Sequence, residues 1–257
     1  MKTMRISWGI RPPGFSYETC FAMAKDGGFD SIDFLPSNKY FFVPPTDIIE
    51  LSEKYTIPIT GMHSPLHLVP YAPQFLFARI LKLTSYFPNV KTYVVHMSML
   101  LNYLQNNPKK IQTLCQMAQE KGITICFESN PIMFPLQYYP KETYVPDAYG
   151  DFCVKHNLSM TFDTSHIASV GGDIIRFYKK YYKHIRMMHL SDFKDGKEHL
   201  PFGQGILPLS KLFDEMKKTK QEHYIVFEIG NFPKGSTMDE KKDALRKSTE
   251  MMKEYFG

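Results

Sequence analysis

Eight short runs rich in β-branched and aromatic residues alternate with amphipathic stretches about 10 to 15 residues long, the rhythm of repeated strand–helix units around a parallel sheet. The expected strands are Arg5 to Ile10, Ser31 to Leu35, Ile59 to Met62, Thr92 to His96, Thr124 to Glu128, Met160 to Asp163, Ile185 to His189 and Tyr224 to Glu228. The expected helices are Tyr17 to Lys25, Thr46 to Tyr55, Pro73 to Tyr86, Pro108 to Lys121, Asp147 to His156, Asp173 to Tyr182, Leu209 to Lys217 and Met238 to Tyr255. Gly27-Gly28 and Gly122 follow two of these helices, and Pro108 and Pro208 stand near helix starts, the punctuation that helix ends favour. Eight units in 257 residues without a compositional break predict a single α/β domain, residues 1–257, folded as a (β/α)8 TIM barrel. The main rival is a doubly wound open sheet. The first strand-to-helix turn, Gly9-Ile10-Arg11-Pro12-Pro13-Gly14, lacks a dinucleotide fingerprint, and no Gly-x-x-x-x-Gly-Lys loop occurs, so no nucleotide cofactor is expected.

Composition narrows the class. With 43% apolar residues the chain can bury a large core. It has no apolar run of about 18 residues, and Met1-Lys2-Thr3-Met4-Arg5 leads straight into a strand pattern, so a soluble, cytoplasmic protein without membrane contact is expected. Cys20, Cys115, Cys126 and Cys153 are scattered through apolar stretches, which suits reduced packing residues rather than a metal site or disulfides. The net charge of +5 comes largely from lysines spread over helical stretches. That is the pattern of solvated helix faces, and it also tolerates an anionic substrate.

Four of the later strands end in metal-binding side chains: Glu128, Asp163, His189 and Glu228. Period two puts Cys126 with Glu128, Thr161 with Asp163, Met187 with His189 and Val226 with Glu228 on one face. At a barrel mouth such residues converge on one cavity, while the smaller neighbours pack beneath them. His63 and His96 end the third and fourth strands. Either alone reads as a hydrogen-bonded core histidine, but six consecutive strands ending in oxygen or nitrogen donors place charges against one another, and a divalent cation offsets that repulsion. For the glutamates the plain alternative is a rim carboxylate paired with lysine or arginine.

Other segments point at the same mouth. His166, three residues after Asp163, reads as a substrate contact, with a metal ligand or a helix cap as alternatives. The stretch Lys197 to Gly205 carries Gly203 and Gly205 and is expected to turn back over the mouth with His199 pointing inward. The loop from Asn130 to Pro146, at about 17 residues, is longer than usual for this unit and holds Phe134, Tyr138, Tyr139, Tyr144 and four prolines. Tyr138 and Tyr139 are expected to stack on a sugar face or to form a dimer contact, which leaves a homo-oligomer open. Trp8 and Arg11, near the end of the first strand, are expected to line the mouth, with Arg11 meeting a phosphate or solvent.

Taken together, Glu128, Asp163-Thr-Ser-His166, His189-Leu-Ser-Asp192, His199-x-Pro-x-Gly-x-Gly205 and Glu228 resemble the xylose isomerase-like barrel superfamily, which spans sugar-phosphate isomerases and epimerases and the endonuclease IV group. In the ketose 3-epimerase branch the resemblance implies one Mn2+, Mg2+ or Co2+ held by Glu128, Asp163, His189 and Glu228, the two glutamates acting on opposite faces of the substrate carbon. In endonuclease IV it implies three Zn2+ ions, with His63 and His96 joining Glu128 at one and His166 and His199 at the third. There this sequence departs, because an aspartate ligand two residues before His199 is replaced by Lys197. The leading expectation is therefore isomerisation or epimerisation of a small sugar, sugar phosphate or related polyol through a metal-stabilised enediolate. Glu128 and Glu228 serve as acid and base, and His166 polarises a substrate oxygen. A dehydratase of a cyclic polyol and a phosphodiesterase at abasic DNA sites are the alternatives. The partner is a sugar-like small molecule, or nucleic acid under the last reading.

Overall fold

The computed structural model describes residues 6–10, 14–64, 73–97, 107–130 and 140–256. In chain order they form β1 (Ile6–Ile10), α1 (Tyr17–Asp26), β2 (Ser31–Phe34), α2 (Thr46–Tyr55), β3 (Ile59–His63), α3 (Pro73–Thr84), β4 (Thr92–His96), α4 (Pro108–Glu120) and β5 (Thr124–Glu128). Then come α5 (Pro146–Lys155), β6 (Ser159–Asp163), α6 (Thr164–Ser169), α7 (Ile174–Tyr181), β7 (Ile185–Leu190), β8 (Asp192–Lys194), β9 (Lys197–Leu200), α8 (Leu209–Thr219), β10 (Tyr224–Phe227) and α9 (Met238–Phe256). Strands β1 to β7 and β10 close into a parallel barrel, sealed where Ser7 pairs with Val226 and Trp8 with Phe227. The eight-unit barrel read from the periodicity is the fold observed.

The strands are buried on both faces, as a barrel ringed by helices demands. Their outward side chains join the helices in one continuous apolar core, where Phe162 stacks on Phe177 with centroids 5.3 Å apart. The Tyr149 hydroxyl on α5 lies 2.7 Å from the carbonyl oxygens of both Phe127 and Thr161, fastening that helix across β5 and β6. Inside the barrel, Val94, Cys126, Met187 and Val226 form a separate small apolar layer. Period two places each of the four one step below a candidate donor, Val94 below His96, Cys126 below Glu128, Met187 below His189 and Val226 below Glu228. No helix among the described residues is long and apolar enough to cross a membrane.

Two insertions lie outside the simple repeat. The short helix α6 begins directly at the end of β6, with Asp163 as its N-cap. After β7 the chain makes an antiparallel hairpin, β8–β9, turning through Asp195 (φ 51°) and Gly196 (φ 72°). Two consecutive left-handed residues make the tight hairpin turn that Asp-Gly favours.

Candidate metal centre

Barrel register sets the site. His96 lies beside Glu128 across the β4–β5 ladder, and Asp163 beside His189 across β6–β7. Glu228 follows the last residue of β10 and stays in step, its N–H bonding the Leu190 carbonyl at 3.1 Å. His166 arrives on α6 and His199 on β9. These seven side chains, and that of His63 at the end of β3, are buried.

Their donor atoms form four overlapping groups, each mutually within 4.8 Å: His63–Glu128–His189, His96–Glu128–His166, Asp163–His166–His199 and Glu128–Asp163–His189–Glu228. The fourth is the quartet expected from the strand ends. His189 Nδ1 sits 2.7 Å from Glu128 Oε1 and 3.0 Å from Glu228 Oε2, yet neither His189 nitrogen makes a hydrogen bond of acceptable geometry. Glu128 Oε1, Asp163 Oδ2 and His166 Nε2 are likewise buried without a hydrogen-bond partner. Such polar atoms are costly unless a ligand satisfies them. Buried donor atoms this close together, several of them without a hydrogen bond, are what a divalent cation would satisfy.

Supporting contacts orient the donors. Asp163 divides its oxygens: Oδ1 accepts from the His166 N–H and the Ser165 hydroxyl, both at 2.8 Å, and leaves Oδ2 for the centre. His63 Nδ1 is 2.8 Å from the Ser64 carbonyl and His166 Nδ1 is 2.9 Å from the Ser129 carbonyl. A proton on each Nδ1 satisfies these carbonyls and turns the Nε2 lone pair inward, as histidine ligands are commonly held. For His63 that lone pair then faces Glu128 Oε2 at 2.8 Å, so a proton or a metal ion must lie between them.

The metal-free electrostatics tell the same story. Burial opposes ionisation of Glu128, but His189, His63 and His96 outweigh it and hold the carboxyl well below its usual range. Burial pushes Asp163 up to about 7, His166 opposing. Burial drives His96 down to about 3, whereas at His189 the flanking glutamates overcome burial and raise it well above normal. These residues fit a divalent ion, with Glu128, Asp163, His189 and Glu228 as its holders and His63, His96, His166 and His199 as further donors. Carboxylates suit Mn2+ or Mg2+, and the surrounding imidazoles suit Zn2+.

His199 occupies the left-handed region at φ 59°, a conformation that costs a residue with a side chain roughly 1–2 kcal/mol. Its carbonyl is gripped by the N–H groups of Gly230 and Asn231 at 3.0 and 3.1 Å, just past Glu228. The glycine-containing stretch behind it is organised by Asp192, which is buried and accepts from the N–H groups of Gly203, Gly205 and Leu207 at 2.9–3.0 Å. The loop thus turns back as expected. His166, expected as a substrate contact, stands inside two of the four donor groups.

Trp8 is a correction. Its ring stacks on Phe29 and its indole N–H donates to the Ile229 carbonyl at 3.0 Å, so it packs in the outer core at 2% exposure and does not line the mouth. Strand alternation explains the misplacement: Gly9, whose Cβ would touch Glu228, faces inward, and Trp8 therefore faces out. Arg11, Tyr138 and Tyr139 lie outside the described residues. Sequence reasoning missed Asp33, a carboxylate 2% exposed inside the barrel and pushed up to about 6 by burial. It also missed Glu198, 4% exposed, with Oε1 lacking a partner. Alternation with Ser31 along β2 was the available signal for Asp33.

A family model described as xylose isomerase-like TIM barrel matches residues 102–255, more than half of the chain. No curated protein sequence matches. Among solved structures, a D-allulose 3-epimerase from Methylomonas sp. in complex with D-allulose superposes with TM-score 0.72 at 14% identity, covering 98% of this chain and 97% of that one. The probable 3-DHS dehydratase from Bacillus anthracis gives 0.69 at 15% identity, covering 96% and 99%. An AP endonuclease, family 2, from Brucella melitensis gives 0.66 at 14%, covering 93% and 96%. At such identities the likeness is one of fold, shared by three kinds of chemistry. With a closed eight-stranded barrel, a ligand-rich mouth and this family match, the chain belongs to the xylose isomerase-like TIM barrel family.

Proposed function

We propose that this protein is a divalent-metal-dependent isomerase or epimerase that moves a proton at a carbon beside a carbonyl in a small sugar, sugar phosphate or related polyol. The observation carrying this reading is that Glu128, from β5, and Glu228, after β10, converge on the same His189 nitrogen from separate parts of the barrel wall. Removal of a proton from one face of a carbon and its return to the opposite face use two such groups. Glu228, 7% exposed, is assigned the removal, and Glu128, fully buried, the return. His189 serves as ligand, its lone pair committed. His166, with Nδ1 on the Ser129 carbonyl, presents Nε2 to a substrate hydroxyl. When bound, the ion supplies positive charge opposite the substrate oxygens as negative charge develops there. Glu128→Gln and Glu228→Gln should each lower turnover of sugars accepted by the wild type by roughly 10²–10⁴-fold. Wild-type turnover in either variant refutes the assignment.

Eight donors in four groups are more than one ion takes, and this favours a second reading, metal-dependent hydrolysis of a phosphodiester at abasic DNA sites. Lys197 weighs against it, a cation standing where a third ion would want an anion. Elemental analysis separates the two: one ion per chain supports sugar chemistry, and two or three with chelator-sensitive incision of an abasic duplex support hydrolysis. Product analysis distinguishes a dehydratase.

A further inference from the structure

A cleft of about 610 Å3 opens beside the metal centre between the β8–β9 hairpin and the segment after β10. His199 belongs both to its lining and to the Asp163–His166–His199 donor group, so this residue stands between cleft and centre. Lys194 and Lys197 line one wall and Lys234 the other, all three exposed. Lys194 and Lys197 are direct cross-strand partners across the Asp195-Gly196 turn. Like charges in that relation destabilise a hairpin. Among the described residues, none of the three lysines forms an ion pair. Two carboxylates share the lining, Asp195 at the exposed turn and the buried Glu198, and the lysines outnumber them. Glu198 Oε1, buried and unpartnered, is an acceptor for a hydroxyl hydrogen.

From this arrangement we infer that the cleft is the subsite for a phosphomonoester group of a polyhydroxylated substrate whose carbonyl end reaches the metal centre. This deepens the isomerase reading and rests on it for the second half of that statement. Two cross-strand ammonium groups faced by a third match a group of charge about −1.5 to −2 at neutral pH better than a monoanionic carboxylate. Lys197, which weakens the case for a third metal ion, acquires a role here.

The test is calorimetric titration of the metal-loaded protein with inorganic phosphate, D-fructose 6-phosphate and D-fructose, in wild type, K194Q/K197Q, K234Q and K194R/K197R. The phosphorylated ketose should bind roughly tenfold or more tightly than the free one, the scale of two or three exposed charge-assisted contacts. K194Q/K197Q should abolish that advantage and weaken inorganic phosphate binding, K234Q should reduce both, and K194R/K197R should keep them, with metal content constant throughout. Equal binding of the two ketoses by wild type, no binding of D-fructose 6-phosphate, or an advantage retained in K194Q/K197Q overturns the inference. So does an abasic DNA duplex that binds through these lysines while the small phosphates do not. Turnover is not read here, so the outcomes separate. Lysine-dependent phosphate binding in a protein whose glutamate variants turn over normally keeps the subsite and removes the isomerase. The reverse result keeps the isomerase alone.

Discussion

Gly61 on β3 is the neighbour of Asp33 on the adjacent strand β2, and a methyl group there offers a quantitative probe of how the region beneath the candidate metal centre is packed. A Cβ on Gly61 would stand 2.0 Å from Asp33 Oδ2 and 2.9 Å from Thr92 Oγ1, where ordinary contacts begin near 3.4 Å. Both neighbours are buried side chains on barrel strands, so neither can retreat far without moving a strand. Overpacking of this kind costs about 1–3 kcal/mol, and the near-bonding approach to Oδ2 places Gly61→Ala at about 3. Asp33→Ala removes the obstructing carboxyl, and the Gly61→Ala cost in that background should fall below about 1 kcal/mol, a coupling of about 2. Denaturant unfolding of the wild type, the two single variants and the double variant, at one pH and in chelator, measures the cycle. Additivity within about 0.5 kcal/mol would show that the carboxyl does not occupy the space left by the missing side chain.

Two further outcomes follow from the same interior. In chelator-treated protein, burial raises Asp33 from 3.8 to about 6, with His189 and His63 opposing and Glu228 and Glu128 assisting. The folded state therefore holds this proton more tightly than the unfolded one. The stability it lends is fully present below the unfolded value and disappears as pH rises through about 6, a change of about 3 kcal/mol. Asp33→Asn should gain on wild type by that order between pH 4 and pH 8, and an unchanged difference in unfolding free energy at the two pH values would refute this. Asp192→Ala strips the shared acceptor from the Gly203, Gly205 and Leu207 amides and should destabilise by about 3 kcal/mol or more. Amide exchange at those three residues should accelerate together, and retained protection would show that other groups hold the loop.

What the sequence disclosed follows from where periodicity carries information. Glu128 and Asp163, which close their strands, and His189, one residue before the end of its strand, were legible because each stands at the end of a short β-rich run and shares its parity with a small or apolar residue that packs below. Parity also held the answer for Trp8, but a lone tryptophan near a strand end suggests a binding surface, and Gly9 offers no side chain to mark the inward face. Asp33 was hidden for a related reason. Nothing in Ser-Ile-Asp-Phe announces that its partner on the next strand is a glycine, and only the register of β2 against β3, with Asp33 beside Gly61, brings the two together. The α6 helix was too short for a periodic signal, and the β8–β9 hairpin places only 3 and 4 residues in its strands. Glu198 and the Lys194–Lys197 pairing became meaningful only with that hairpin in place.

Hydrogen bonds anchor the hairpin below its apex. Asp192 ties one leg to the returning loop, the His199 carbonyl ties the other to Gly230 and Asn231, and no side chain from Lys194 to Lys197 takes part in these anchors. Mutation at that apex can therefore change what the barrel accepts while the imidazole a few residues away keeps its aim. Under the proposed reading, substrate preference and ion chemistry are separable in heredity, which gives a physical route by which one scaffold diversifies its clientele without rebuilding its reactive heart.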